Sequence, residues 1–246
     1  MLERFRQRIQ EKAAQPNTAS VVIVAIGDSV TMGAMELGRF DFDGVYHQRL
    51  KRLLEQRYPA TAFSVINSGV NGDSAAGGLA RIDRDVIRYQ PDLVLIAFGL
   101  NDSGGGLAGA VRFRETLSEI IRRVRQGTPA DIIVLTPSFM NTRDSAKVAP
   151  EHRQHVEDFI RRQTTGVLAA YAEAIRETAR QAGLPLADVY AAWEQLAARG
   201  VDTTALLANG LNHPTREAHR IQAELILQLI DPAFKPSALT DLAKRG

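Results

Sequence analysis

"SVVIVAIGDSVTMG", Ser20 to Gly33, joins an apolar run rich in β-branched residues to a short polar turn. An unbroken apolar run, without alternation, suits a strand covered on both faces. The Gly27-Asp28-Ser29 step then sets a serine on a tight strand-to-helix turn. Its hydroxyl can be exposed there with a helix N-terminus beside it.

The same pattern recurs along the chain. "AFSVINSG" (62–69), "DLVLIAFG" (Asp92 to Gly99) and "DIIVLTPS" (Asp131 to Ser138) read as further buried strands, and "LPLADVY" as a weaker fifth. Helical patterns lie between them. "DGVYHQRLKRLLEQRY" puts Val45, Leu50, Leu53 and Leu54 on one side, and "GLARIDRDVIRY" spaces Leu79, Ile82, Val86 and Tyr89 as a helix does. "VRFRETLSEIIRRVRQG" ends on Gly127. A long helical stretch is expected over 150–182 and a last helix over 215–230. Strand and helix in alternation predict an α/β fold: a mostly parallel five-stranded sheet with helices on both faces. The expectation is one domain over 1–246, with a helical extension at 1–18 and a tail at 232–246.

Ligands of such sheets bind beyond the carboxyl ends of the strands. Four polar, Gly-bearing segments stand at such places: "GDSVTMG" (27–33), "NSGVNGDS" (67–74), "FGLND" (98–102) and "NGLNHP" (209–214). Acyl transfer needs a nucleophile, a base and donors for an oxyanion. Ser29 supplies a hydroxyl and a backbone N–H. Gly72 lets a substrate oxygen approach its N–H. Asn101 supplies an amide, and His213, before Pro214, a base. Any one of these segments alone reads as an ordinary turn or cap. Together and in order, they read as a site.

On these residues the chain resembles the SGNH (GDSL-type) hydrolase family. "IGDSVTMG" matches the nucleophile block at Ser29, "NSGVNGDS" the oxyanion-hole glycine at Gly72, "FGLND" the oxyanion-hole asparagine at Asn101, and "NGLNHP" the base at His213. The resemblance spans about 21–219. It implies a flavodoxin-like three-layer α/β/α domain and esterase, lipase, thioesterase or carbohydrate-deacetylase activity through an acyl-serine. It implies no metal and no organic cofactor. One feature departs from the pattern: the aspartate usual shortly before the histidine is missing, and Asn209 stands four residues ahead. Proximity favours the Asn209 amide oxygen, or a backbone carbonyl of the same loop, as acceptor for the His213 Nδ1 proton. Asp188 and Asp202 are the carboxylate alternatives.

The remaining polar residues read as structural. Asp28, Asp73 and Asp102 stabilise turns. His152 and His155 form a solvated pair lacking a third metal ligand, His47 lies on a helix surface, and His219 is structural. Trp193, the single Trp, packs in the core or a loop. The loops 32–44, 101–109 and 138–150 flank Ser29, with Phe139 and Met140 bordering an acyl pocket. No long apolar lid is visible, which points to a shallow site and a short acyl group.

Composition bounds the rest. The absence of Cys excludes disulfides and a Cys nucleophile. A net charge of +2, with Arg interleaved among acids, argues against nucleic acid as a partner. The charged N-terminus is not a secretory signal and no apolar run is long enough to span a membrane, so the expected home is cytoplasmic. The expected function is a serine esterase on small esters, such as sugar O-acetyl groups. The alternatives are a lysophospholipase or thioesterase, and a non-catalytic binding module on the same fold.

Overall fold

The computed structural model describes residues 1–244; the last two residues of the expected 232–246 tail lie outside the described residues. Five strands, β1 (Val21–Gly27), β2 (Phe63–Gly69), β3 (Leu93–Ala97), β4 (Asp131–Leu135) and β5 (Leu186–Ala187), form one sheet in the order β2-β1-β3-β4-β5. Every pairing is parallel. The expected fifth strand is only two residues long. Asp188 ends it by turning its carboxylate back to accept the Ala191 N–H at 3.0 Å as a helix cap.

Side-chain alternation splits the sheet between two cores. Ile23, Ala25, Leu93, Leu95, Ile133 and Leu135 face one side. There they meet α1 (Glu3–Ala14), α3 (Tyr46–Arg57), α9 (Val189–Ala198), α10 (His219–Ile230) and α11 (Ala238–Ala243). Val24, Ile26, Val94, Ile96, Ile132 and Val134 face the other. That side is covered by α4 (Ala75–Ala80), α5 (Ile82–Asp85), α6 (Gly106–Gly127) and α8 (Val167–Ala182). The two remaining helices, α2 (Ser29–Met32) and α7 (Val156–Thr164), stand at the sheet's carboxyl end and beside α8. The N-terminal helix packs on its own domain through Leu2, Phe5 and Ile9, and the Phe5 N–H donates to Asp131 at 2.8 Å.

Several helical expectations are corrected. "GLARIDRDVIRY" is broken into α4, α5 and a 3-10 turn at Ile87–Tyr89. The stretch 150–182 is a 3-10 turn (Pro150–His155), then α7, then α8, with Gly166 at φ +80° between the two helices. The helix expected over 215–230 starts at His219, and α11 follows it inside the expected tail. His47 is not on the surface. It is fully buried on the stripe His47, Leu50, Leu54 that α3 turns inward, and its Nε2 lies 2.9 Å from the Thr31 carbonyl. Trp193 is buried in the first core, as expected.

Register positions the site. Gly27 pairs with Gly69 on one side and with Ala97 on the other, so β1, β2 and β3 end in one row. The strand order reverses around β1, and the crevice of an open parallel sheet lies at such a place. Ser29, Gly72 and Asn101 follow this row by two, three and four residues. The row also lets α2 come close. A Cβ at Gly69 would stand 2.2 Å from the Met32 nitrogen, and one at Gly27 would stand 2.5 Å from the Ala97 oxygen. Among the described residues, no helix is long and apolar enough to cross a membrane.

Candidate active site

Asp28 opens α2 as its N-cap. Its Oδ1 accepts the Val30 N–H at 2.9 Å, which sets Ser29 in the first turn of the helix. Burial pushes the Asp28 carboxyl up to about 7, helped by Asp102 and Asp73, while the Val30 N–H works against the shift. Asp102 ties the next two segments together, accepting the Ala75 N–H at 2.9 Å and the Gly99 N–H at 3.0 Å. Asp73 binds Arg81 at 2.8 Å. Arg81 also donates to the carbonyls of Ser68 and Gly27 at 2.7 and 3.1 Å. This arginine, which the sequence reading passed over, fastens the ends of β1 and β2 to the Gly72 turn.

The structure brings Ser29 and His213 together across the chain: Ser29 Oγ lies 3.1 Å from His213 Nε2. His213 Nδ1 lies 2.9 Å from the carbonyl oxygen of Met35. A carbonyl only accepts, so Nδ1 carries the proton and Nε2 is free to accept from the serine hydroxyl. Burial holds the His213 pKa below the ordinary histidine value. The Met35 bond pulls it up and the charge of His152 pushes it further down. The imidazole therefore stands neutral at neutral pH, the state a base needs.

Asn209 is not the partner of Nδ1. Its Oδ1 accepts the backbone N–H groups of Leu211, Asn212 and His213, each at 3.0 Å, and its Nδ2 donates to Asn212 Oδ1 at 3.0 Å. It knots the turn that presents His213 and leaves the ring to Met35. The carbonyl comes from the loop after α2, not from the histidine loop. Neither carboxylate alternative reaches the ring. Asp188 caps α9 and pairs with Arg176 at 2.8 Å, and Asp202 pairs with Arg143 and accepts the Thr204 N–H at 3.0 Å.

Met35 is held by a small hairpin. Ala34 bridges Phe40, the Met35 N–H donates to the Arg39 carbonyl at 2.9 Å, and the Asp41 N–H donates to the Gly33 carbonyl at 2.8 Å. Arg216, three residues after His213, clasps this hairpin at Asp41 Oδ2 (2.5 Å) and lies 3.7 Å from Glu36. Gly72 has φ +74°, and its N–H meets no acceptor among the described residues. Asn101 Nδ2 donates one hydrogen to the Asp73 carbonyl at 2.8 Å, which fixes the amide and leaves its second hydrogen.

These groups open into a cleft of about 440 Å³. The three expected loops all contribute: Ala34 and Glu36 to Phe40 from the first, Asn101 and Gly104 from the second, Lys147 and Ala149 from the third. Phe139 and Met140 do not. Both are buried in the core, Phe139 against Tyr190 and Trp193. His152 and His155 are more than a solvated pair, because both line the cleft, His155 stacked on Phe159.

The model of the GDSL-like lipase/acylhydrolase family matches residues 25–221. The chain is 31% identical over 107 residues to the esterase TesA of Pseudomonas aeruginosa, covering 44% of this chain and 50% of that protein. It is 34% identical over 85 residues to an acetylxylan esterase of Geobacillus stearothermophilus, covering 32% and 39%. The aligned stretches thus span about half or less of these curated relatives. The fold is similar to the crystal structure of a lipase/acylhydrolase from Enterococcus faecalis. Its TM-score is 0.65 at 25% identity, covering 88% of this chain and 98% of that one.

Proposed function

The chain belongs to the GDSL-like lipase/acylhydrolase family, and from that premise we propose that it is a serine esterase cleaving short acyl esters through an acyl-serine. The observation that carries this reading is the 3.1 Å contact between Ser29 Oγ and His213 Nε2 at the reversal point of the sheet. Ser29 Oγ attacks the ester carbonyl as Nε2 takes its proton. The oxyanion faces the N–H groups of Ser29 and Gly72 and the free hydrogen of Asn101. The C–O bond to the alcohol breaks and the imidazolium returns the proton to the leaving oxygen. Water, deprotonated in turn by His213, releases the acid. Met35 fixes the tautomer without adding a charge.

A sugar O-acetyl ester is the substrate we favour. The cleft is open and bounded by short loops, and one of the relatives named above is an acetylxylan esterase. Longer acyl chains, as in a lysophospholipase or thioesterase, are favoured by one feature: Leu37 and Phe40 line the cleft with 49% and 42% of their surface exposed. Hydrolysis of p-nitrophenyl esters of increasing chain length separates the two.

Reaction with a fluorophosphonate tests the esterase reading itself. Labelling is expected at Ser29 and is expected to vanish in Ser29→Ala. Hydrolysis in that variant should fall by about three orders of magnitude or more. An unlabelled protein without hydrolysis would make this chain a binding module.

A further inference from the structure

We propose that the ester taken by this cleft carries an anion, a carboxylate or a phosphate, on its alcohol part, seated among Arg39, Lys147 and His152 on the His213 side of Ser29. The proposal rests on the esterase reading and narrows its substrate class.

The charges bounding the cleft are unequal. Arg39, Lys147 and Arg162 line it, as do His152 and His155, against one carboxylate, Glu36. Glu36 already faces Arg216 at 3.7 Å. Arg162 is tied to Asp158 and lies over the Phe159 ring. Lys147 Nζ donates to the carbonyls of Ala205 and Leu207 at 2.7 and 3.1 Å, neutral partners that leave its charge uncancelled. Neither Arg39 nor Lys147 pairs with a carboxylate among the described residues. Cations that converge on a concave surface focus the field there and raise the local concentration of an anionic substrate.

The cations belong to the side where the alcohol leaves. The leaving oxygen takes its proton from His213 Nε2, so the alcohol must lie toward that ring. Lys147 packs beside the histidine turn: its Cβ would be 3.2 Å from a Cβ at Gly210, and its Nζ reaches the carbonyl of Leu207, which bridges Pro214. His152 lines the same cleft as His213. Arg39 stands on the hairpin whose Met35 carbonyl holds Nδ1. Arg162 sits elsewhere, with Nη1 against Gly104, on the side of Asn101 and the oxyanion.

His213 becomes an imidazolium in the transition state, and no carboxylate stands at Nδ1 to stabilise it. An anion on the alcohol does so from the other side of the ring. The preference for anionic esters should therefore appear in kcat as well as in KM.

The test uses matched esters: O-acetylated glucuronic acid against its methyl ester, and O-acetylated glucose 6-phosphate against O-acetylated glucose. At low ionic strength, kcat/KM for at least one anionic member is expected to exceed that of its neutral partner by about tenfold or more. The ratio should shrink toward one as salt is raised to about 0.5 M. Arg39→Gln and Lys147→Gln should each lower the ratio, and Lys147→Arg should keep it. The arm that responds tells carboxylate from phosphate. Equal cleavage of both members of each pair, unmoved by salt or by either substitution, would overturn the proposal. Failure to cleave any of the four would instead strike the esterase reading. Calorimetry then decides the anion site alone: tighter binding of glucuronate than of its methyl ester upholds it, and equal binding overturns it.

Discussion

His213 Nδ1 and the carbonyl oxygen of Met35 lie 2.9 Å apart, so the partner of the imidazole is a main-chain atom on a hairpin 178 residues away in sequence. The ring is oriented by a dipole where a triad would use a charge. Its position depends on whatever holds that hairpin in place.

Arg216 is what holds it from the histidine side. Removing its links to Asp41 and Glu36 frees the hairpin while leaving Ser29 and His213 in place. Arg216→Ala is expected to lower kcat up to about tenfold, the loss of one orienting hydrogen bond, with KM for a small neutral ester little changed. Arg216→Lys should recover part of the loss. Steady-state kinetics on p-nitrophenyl acetate measures both. A change confined to KM would place Arg216 in substrate binding instead.

Asn209 should behave as a structural knot. Asn209→Ala strands three backbone N–H groups in a turn where Asn209 is only 9% exposed, at a cost on the order of 1–3 kcal/mol for each group left unsatisfied. Thermal stability and kcat are expected to fall together. Asn209→Asp keeps the accepting oxygen and should hold the fold without raising kcat, because that oxygen points at the turn and not at the ring. A faster Asn209→Asp enzyme would return the residue to the imidazole.

Two expectations concern pH. The His213 pKa is held below the ordinary 6.5, mainly by burial. Hydrolysis should rise with pH through that lowered pKa and be level above it, so the acid limb of kcat/KM falls below 6.5. Stability follows other histidines. Burial lowers His47 to about 4 and His219 to about 3. In the unfolded chain both take a proton below about 6.5, while the folded state refuses it, so stability is full above 6.5 and declines as pH falls toward 4 and below. Asp28, raised to about 7, works the other way over pH 4 to 7 but is one group against two. Denaturant midpoints at pH 7.5 and 4.5 check the net sign: the lower pH should give the lower midpoint.

Much of this site is legible in the sequence, and the reason is local. Ser29, Gly72, Asn101 and His213 each sit in a Gly-bearing turn beside an apolar run or a proline, and parallel topology carries such turns to one edge. What escapes is set by tertiary geometry. The Met35 carbonyl has no sequence signal, since every residue has one. His152 and His155 line the cleft from the 3-10 turn Pro150–His155, where the sequence reads as the start of one long helix, and Lys147 lines it from the loop before that turn. His47 could have been found, since His47, Leu50 and Leu54 already share the helical stripe, but a polar residue there reads naturally as surface. The two-residue β5 shows the limit of apolar patterning beside a strong helix cap.

Gly69 offers a test of how closely the Ser29 turn is fitted. With Met32 N at 2.2 Å and Thr31 C at 2.6 Å from a built Cβ, Gly69→Ala must push α2 off the sheet. The expected cost is about 1–3 kcal/mol of stability, with kcat falling further than that loss accounts for, since Ser29 moves away from His213. Thermal melting and kcat on one short ester provide the comparison. A destabilised variant with unchanged kcat would mean that the turn travels as a rigid unit.

The Met35 oxygen also bears on how such a protein varies over time. A main-chain carbonyl has no codon of its own, so no single substitution deletes it. Residue 35 can drift among apolar side chains while the atom that orients His213 is inherited unchanged. A scan that replaces side chains one by one would therefore return a two-residue machine and miss the third partner. Exchanging the amide between Met35 and Glu36 for an ester, which weakens the carbonyl as an acceptor, is the chemical substitution that would expose it.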